Sequence, residues 1–293
     1  MRFRYLYFII SALVILPGLY SLIRFGLKPS IDFTGGSILE LEFATLVSRD
    51  MTVDVGTIAK QQNIDVASAQ ISGDKRVMLK AKPFEREQSA SLSAQLATKY
   101  GTPPTELRFE TVGPVLGKEL IQKTLLAIVL GASFILLYVW RQFKNPMFGV
   151  CAILAMFHDS LVLLGVFSLL GHFKGVEIDT LFVTAVLTVL SFSVHDTVVV
   201  YDRIRESQKK FAGTSFIDLA NKAVTETLSR SINNSMTIIF MLLALYLLGG
   251  ETTKWFVFAL LVGTISGTYS STFTATPLLV VWNEIKNKRK EKK

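Results

Sequence analysis

Leu181–Tyr201 reads LFVTAVLTVLSFSVHDTVVVY, an apolar run that carries His195 and Asp196 near its C-terminal third. About 20 consecutive apolar residues span a bilayer core as a helix. A charge at that depth costs roughly 2.5–3.5 kcal/mol on insertion scales. Such a carboxylate marks an ion or proton path by default, with a partner elsewhere in the bundle. The nearest candidate partner is Arg230, at the head of the next apolar run.

Working outward, five further runs are long enough to cross a membrane. The set of six is Tyr5–Ile23, Ile121–Trp140, Met147–Leu170, Thr180–Tyr201, Ser231–Leu248 and Trp255–Trp282. Half of the 293 residues are hydrophobic, more than a soluble domain of this size needs. The first run lacks a small-x-small cleavage site and is followed by Arg24 and Phe25. It is therefore expected to stay as a helix, kinked at Pro17. Cys151 is the single cysteine, which excludes a disulfide within the chain.

The net charge of +8 raises the question of nucleic acid. Residues 28–120 hold 11 Lys/Arg against 12 Asp/Glu, so the basic excess lies elsewhere. It sits beside alternate ends of the apolar runs. Arg2 and Arg4 precede the first, Arg141 and Lys144 follow the second, and Arg203, Arg205, Lys209, Lys210 and Lys222 follow the fourth. Lys286, Lys288, Arg289, Lys290, Lys292 and Lys293 follow the sixth. This is positive-inside patterning and no DNA footprint. It places both termini in the cytoplasm and residues 28–120 outside. The chain divides accordingly into helix 1 (1–27), an outer domain (28–120), a five-helix bundle (121–285) and a basic tail (286–293).

The outer domain alternates strand and helix signals. Leu39, Leu41 and Phe43 alternate with Glu40 and Glu42, a half-buried strand. Residues 52–62 read as helix, 67–71 and 76–81 as strands joined by a Ser72–Lys75 turn, 84–100 as helix and 106–112 as strand. The order β-α-β-β-α-β is the ferredoxin-like pattern. No histidine or cysteine lies here, so binding or mechanical work is expected rather than chemistry. Gly35-Gly36 opens the domain and Val112-Gly113-Pro114 leads out of it. The glycine pair is either a tight linker or a hinge.

Within the membrane runs, His158-Asp159 and His195-Asp196 are two His-Asp pairs. Thr184, Thr188, Ser191 and His195 follow helical spacing along one face, with Asp196 about 100° around. The hydroxyls read as interhelical hydrogen bonding and Asp196 as functional. His158 and Asp159 fit either a structural pair or a second relay. Gly263, Gly267 and Ser271 form a small-xxx-small face for helix packing. Three histidines in all do not make a metal site here, and no HExxH, GxSxG or phosphate-loop pattern occurs. Enzymatic chemistry, a metal and a cofactor are not expected.

The chain resembles the SecF proteins of the SecD/SecF family of bacterial protein export, themselves related to resistance-nodulation-division (RND) permeases. The likeness rests on Asp32-Phe33-Thr34-Gly35-Gly36-Ser37, Val112-Gly113-Pro114, His158-Asp159 and Gly267-Thr268-Tyr269-Ser270-Ser271. The most specific part is Val194–Glu206, VHDTVVVYDRIRE. His195 departs from the asparagine common at that place. The resemblance implies six membrane helices forming half of a permease, completed by SecD. It implies a subunit of the Sec machinery in the bacterial inner membrane. With the SecYEG translocon, it would use the proton motive force to move unfolded preproteins. It maps the family's membrane aspartate and arginine onto Asp196 and Arg230. His195, His158 and Asp159 are further candidates for the proton path, and Gly35 and Gly36 for the hinge. Two other readings remain: an RND-type exporter of small molecules or lipids, and a translocon assembly factor that transports nothing.

Overall fold

The structure, a computed structural model, describes residues 1, 3–143, 145–211 and 213–291, without the side chains of Glu251, Lys290 and Glu291. Arg2, Lys144, Lys292 and Lys293, counted above among the cytoplasmic charges, lie outside this set. The chain folds as two units. One is Pro29–Leu125; the other joins Met1–Lys28 to the chain from Leu126 onward.

The Pro29–Leu125 unit, called outer after its expected side of the membrane, holds α2 (Ile31–Thr34), β1 (Gly36–Glu42), α3 (Arg49–Gln61), β2 (Val66–Ile71), β3 (Arg76–Ala81), α4 (Arg86–Tyr100) and β4 (Thr105–Val112). The sheet order is β2-β3-β1-β4 with every pair antiparallel. This is the ferredoxin-like arrangement that the alternating pattern implied. Leu39 and Leu41 of β1 and Val77 and Leu79 of β3 are fully buried, with Val55 and Ala59 of α3 and Leu92 and Leu96 of α4 over them. Ser48 caps α3 by accepting from Met51 N, and Gly101 ends α4 in the left-handed conformation. α2 has no counterpart in the sequence reading: four residues are too few for a periodic signal.

One polar cluster pins this unit. Asp54 accepts from Tyr100 Oη at 2.6 Å and pairs with Lys99 at 2.6 Å. The bonds from Lys99 and Tyr100 hold Asp54 below the usual carboxylate range. Burial, then the Asp54 carboxylate, pushes the Tyr100 phenol up to about 12. Because the folded state favours the neutral phenol, its contribution is complete below pH 10 and is lost as pH rises toward 12. Replacing Tyr100 by phenylalanine should flatten the alkaline arm of the outer unit's stability, followed by hydrogen exchange between pH 9 and 11. An unchanged arm would contradict the assignment.

The membrane unit holds α1 (Arg4–Phe25), the end of α5 (Pro114–Gln142), α6 (Pro146–Lys174), α7 (Thr180–Lys210), α8 (Phe216–Leu248) and α9 (Glu251–Ser270). A π-helical turn (Ser271–Ala275) runs from α9 into α10 (Thr276–Glu291). Among the described residues six helices, with α9 to α10 as one, are long and apolar enough to cross a membrane. α1 is continuous through Pro17. Pro277 explains the π turn, because it has no N–H to give the carbonyl one turn back. α7 and α8 both extend beyond the apolar runs that announced them. Arg230 therefore lies well inside α8 rather than at its start.

Small residues set the packing. A Cβ on Gly165 would fall 2.6 Å from Gly18 Cα, so α1 and α6 touch backbone to backbone. Ser21 and Ser168 share a hydrogen bond of 2.8 Å beside that crossing, and Ser168 also donates to Gly26 O at 2.7 Å. Gly263 of α9 lies directly against Val189 of α7 and leaves no room for a side chain. Gly267 has ordinary clearance, its nearest neighbours being 3.5 Å from a Cβ. Ser271 is fully buried in the π turn. Tyr201 of α7, without solvent exposure, donates to Ala275 O at 2.7 Å.

The glycines at the head of the outer unit are packed as well. Gly35 and Gly36 have φ of +70° and +135°. A Cβ on Gly35 would meet Pro114 Cα at 2.9 Å, and one on Gly117 would meet Phe33 O at 3.0 Å. The incoming and outgoing segments thus clasp each other where the sheet begins, with Gly36 opposite Val112 in the β1–β4 ladder.

Candidate functional site

Asp196 is carried by α7, which Asp179 starts by accepting from Phe182 N at 2.8 Å. Asp196 is 5% exposed. Ser231 of α8 donates to Asp196 Oδ2 at 2.9 Å, the one hydrogen bond to that carboxyl among the described residues. Beside it lies a cavity of about 230 Å³ lined by His195, Asp196, Val199, Thr227, Arg230, Ser231 and Asn234 among others. So the carboxyl, the imidazole and the guanidinium chosen from sequence share one polar cavity. Asp196 and Arg230 form no ion pair among the described residues; Arg230 sits exposed at the rim. His195 is exposed and also lines a second cavity with Tyr138 and Ser191.

A buried acid with few hydrogen bonds next to a polar space can gain and lose a proton without dismantling its surroundings. Below it, the end of α7 is laced by ion pairs. Asp202 binds Arg205 at 2.9 Å, and Arg203 reaches Glu206 at 2.5 Å and Glu226 of α8 at 2.6 Å. The acidic residues of the Asp202–Glu206 stretch are therefore committed to surface bonding.

Asp159 is built differently. It lies in α6, is 1% exposed, and takes hydroxyl hydrogen bonds from two other helices, α7 and α9. Oδ1 accepts from Ser266 Oγ at 2.6 Å and faces His158 Nδ1 at 3.0 Å; Oδ2 accepts from Ser193 Oγ at 2.5 Å and Ser270 Oγ at 2.6 Å. Hydrogen bonds to a charged group are each worth about 1.5–3 kcal/mol. His158 Nε2 is buried and has no hydrogen-bond partner among the described residues. Neither residue lines the Asp196 cavity.

The sequence singled out neither Ser193 nor Ser266; Ser231 stood only in a polar helix start and Ser270 only in the stretch that carries the resemblance. Serine is common in membrane helices, and only Ser266 and Ser270 carried a usable signal, four residues apart on one helix face. No cluster of His, Cys, Asp or Glu suited to a metal occurs among the described residues.

Two family descriptions match the chain: protein export membrane protein SecD/SecF, C-terminal, over residues 93–285, and the SecD/SecF GG motif over residues 20–45. The protein translocase subunit SecF of Thermobaculum terrenum is 44% identical over 96% of this chain and 92% of its own length. The subunit of the same name from Anaerolinea thermophila is 40% identical over 95% and 92%. The crystal structure of Thermus thermophilus SecDF, a translocon-associated membrane protein, superposes with a TM-score of 0.80 at 31% identity. It covers 97% of this chain, which corresponds to 39% of the longer SecDF chain. With six spans and this likeness along its length, the chain is a multi-pass membrane protein that belongs to the SecD/SecF family of protein export membrane proteins.

Proposed function

We propose that the chain is the SecF-type subunit of the Sec export machinery, acting with SecD to convert proton flow into translocation of unfolded preproteins through SecYEG. The observation that carries this is Asp196, buried at membrane depth beside a polar cavity with Arg230 on its rim. The partner reading has two supports. A single-chain SecDF from Thermus thermophilus matches 90% of this chain with only 35% of its own length. In α5, none of the most apolar stretch is buried, and in α8 only 11%, which leaves helix faces for a second half. The basic flanks of alternate spans support a bacterial inner-membrane location with cytoplasmic termini.

Asp196 takes a proton from the outer side and, once neutral, no longer attracts the Arg230 guanidinium across the cavity. The helices shift, and the proton leaves inward. One charge crossing 100 mV supplies about 2.3 kcal/mol per step. In proteoliposomes holding the chain, SecD and SecYEG, a proton gradient should stimulate preprotein translocation. Asp196→Asn should abolish that stimulation while the complex still assembles. Stimulation that survives the substitution would reject the proton mechanism and favour a scaffold that transports nothing.

A further inference from the structure

We propose that Asp159 is a positioning residue for the Asp196 site, acting through the rotation of α7. The proposal rests on the reading of Asp196 as the proton-carrying group. Asp159 does not touch the Asp196 cavity, so any influence on it passes through the helix between them.

The geometry supplies that route. Ser193, held by Asp159 Oδ2 at 2.5 Å, precedes Asp196 by three residues. Three residues along an α-helix bring a side chain to within about 60° of the same direction, one turn away. On the other side of Asp196, five residues on, Tyr201 donates to Ala275 O in the π turn at 2.7 Å. α7 is therefore pinned before and after Asp196. Both pins lead to one structure, the end of α9 with its π turn: Ser266 and Ser270 hold the same Asp159 carboxyl, and Ala275 receives Tyr201.

The one hydrogen bond of Asp196 among the described residues, from Ser231 on α8, faces a helix that takes no part in either pin. A small turn of α7 would change the approach of Asp196 to Ser231, because Ser231 stands on α8, outside both pins. Gly267 admits this arrangement. It lies between Ser270 and Ser266 and leaves Ser193 Cα 3.5 Å and Asp159 Oδ2 3.8 Å from where its Cβ would stand. The two aspartates thus divide the labour. The one with a single donor and an open cavity exchanges the proton; the one surrounded by donors keeps the first in register.

A cage that merely glued helices together would make its donors interchangeable. A positioning role makes them unequal, because Ser193 alone stands on α7. The test is the carboxyl carbon resonance of Asp196 in the aspartate-labelled complex with SecD, assigned by its loss in Asp196→Asn, together with proton flux in proteoliposomes. Ser193→Ala should displace that resonance and cut flux several-fold, and Ser193→Thr, which keeps the hydroxyl, should restore both. Ser266→Ala also removes one hydrogen bond from Asp159, yet should leave the Asp196 resonance in place. If both alanine variants move it equally, or Ser193→Ala leaves it unmoved, the positioning role is overturned. If Asp196→Asn conducts like the wild type, the proton reading falls instead. The resonance comparison then still decides whether Asp159 sets the geometry of α7.

Discussion

Gly165→Ala should lower the unfolding temperature of the purified protein by several degrees, whereas Gly149→Ala in the same helix should leave it unchanged. Both exchanges add one methyl group to α6. At Gly165 that methyl would stand 2.6 Å from Gly18 Cα and 3.0 Å from Gly18 C, closer than real carbon contacts. Backbone cannot swing aside as a side chain can, so α1 must lift from α6. The Ser21–Ser168 bond and the bond from Ser168 to Gly26 O, 2.8 and 2.7 Å, lie on the same seam and would stretch with it. Forced overpacking costs about 1–3 kcal/mol. At roughly 2–4 °C per kcal/mol for a protein of this class of size, the shift is readily measured. At Gly149 nothing lies within 4 Å of the added carbon. Thermal melts in detergent giving equal values for the two variants would show that the crossing has slack.

Gly35→Ala carries the second large effect, and it falls on the outer unit. Gly35 has φ +70° and ψ +162°, a region that only glycine occupies readily. A methyl group there would also meet Pro114 Cα at 2.9 Å and Pro114 N at 3.1 Å. Strain of about 1–3 kcal/mol and overpacking of about 1–3 kcal/mol act together. Gly101→Ala gives the comparison: φ is +80°, but nothing lies within 4 Å, so it should cost the strain alone. Hydrogen exchange along Gly36–Glu42 and Thr105–Val112 should accelerate far more in Gly35→Ala than in Gly101→Ala. Similar rates would remove the close approach to Pro114 from the account.

Much of this was legible in the chain because the physics involved is local. Six apolar runs and a strand–helix alternation are periodic signals, and periodicity survives without knowledge of partners. Asp196 announced itself because an ionisable group in an apolar run is expensive. What escaped the sequence was pairing. Arg230 looked like a helix start, because the apolar run begins at Ser231, whereas α8 begins at Phe216 and is polar for its first turns. Hydroxyls on two helices, α7 and α9, converge on Asp159, and serines carry no mark of where they point. Gly263 and Gly267 looked alike, yet one is jammed against Val189 and the other is not. Gly18 and Gly165 drew no notice, because a backbone crossing needs only one glycine from each helix.

The β1–β4 ladder has a mechanical consequence. The chain enters β1 at Gly36 and leaves β4 at Val112, and these two residues are paired opposite each other. Both tethers are therefore fixed to the same end of the same pair of strands. A force that drew the tethers apart would not shear the ladder, which would load its hydrogen bonds together. It would unzip the ladder one pair at a time from that end, the weaker geometry. The contacts of Gly35 with Pro114 and of Gly117 with Phe33 lie just outside that first pair. They act as the stop on the zip, so the force at which the outer unit begins to open is set there.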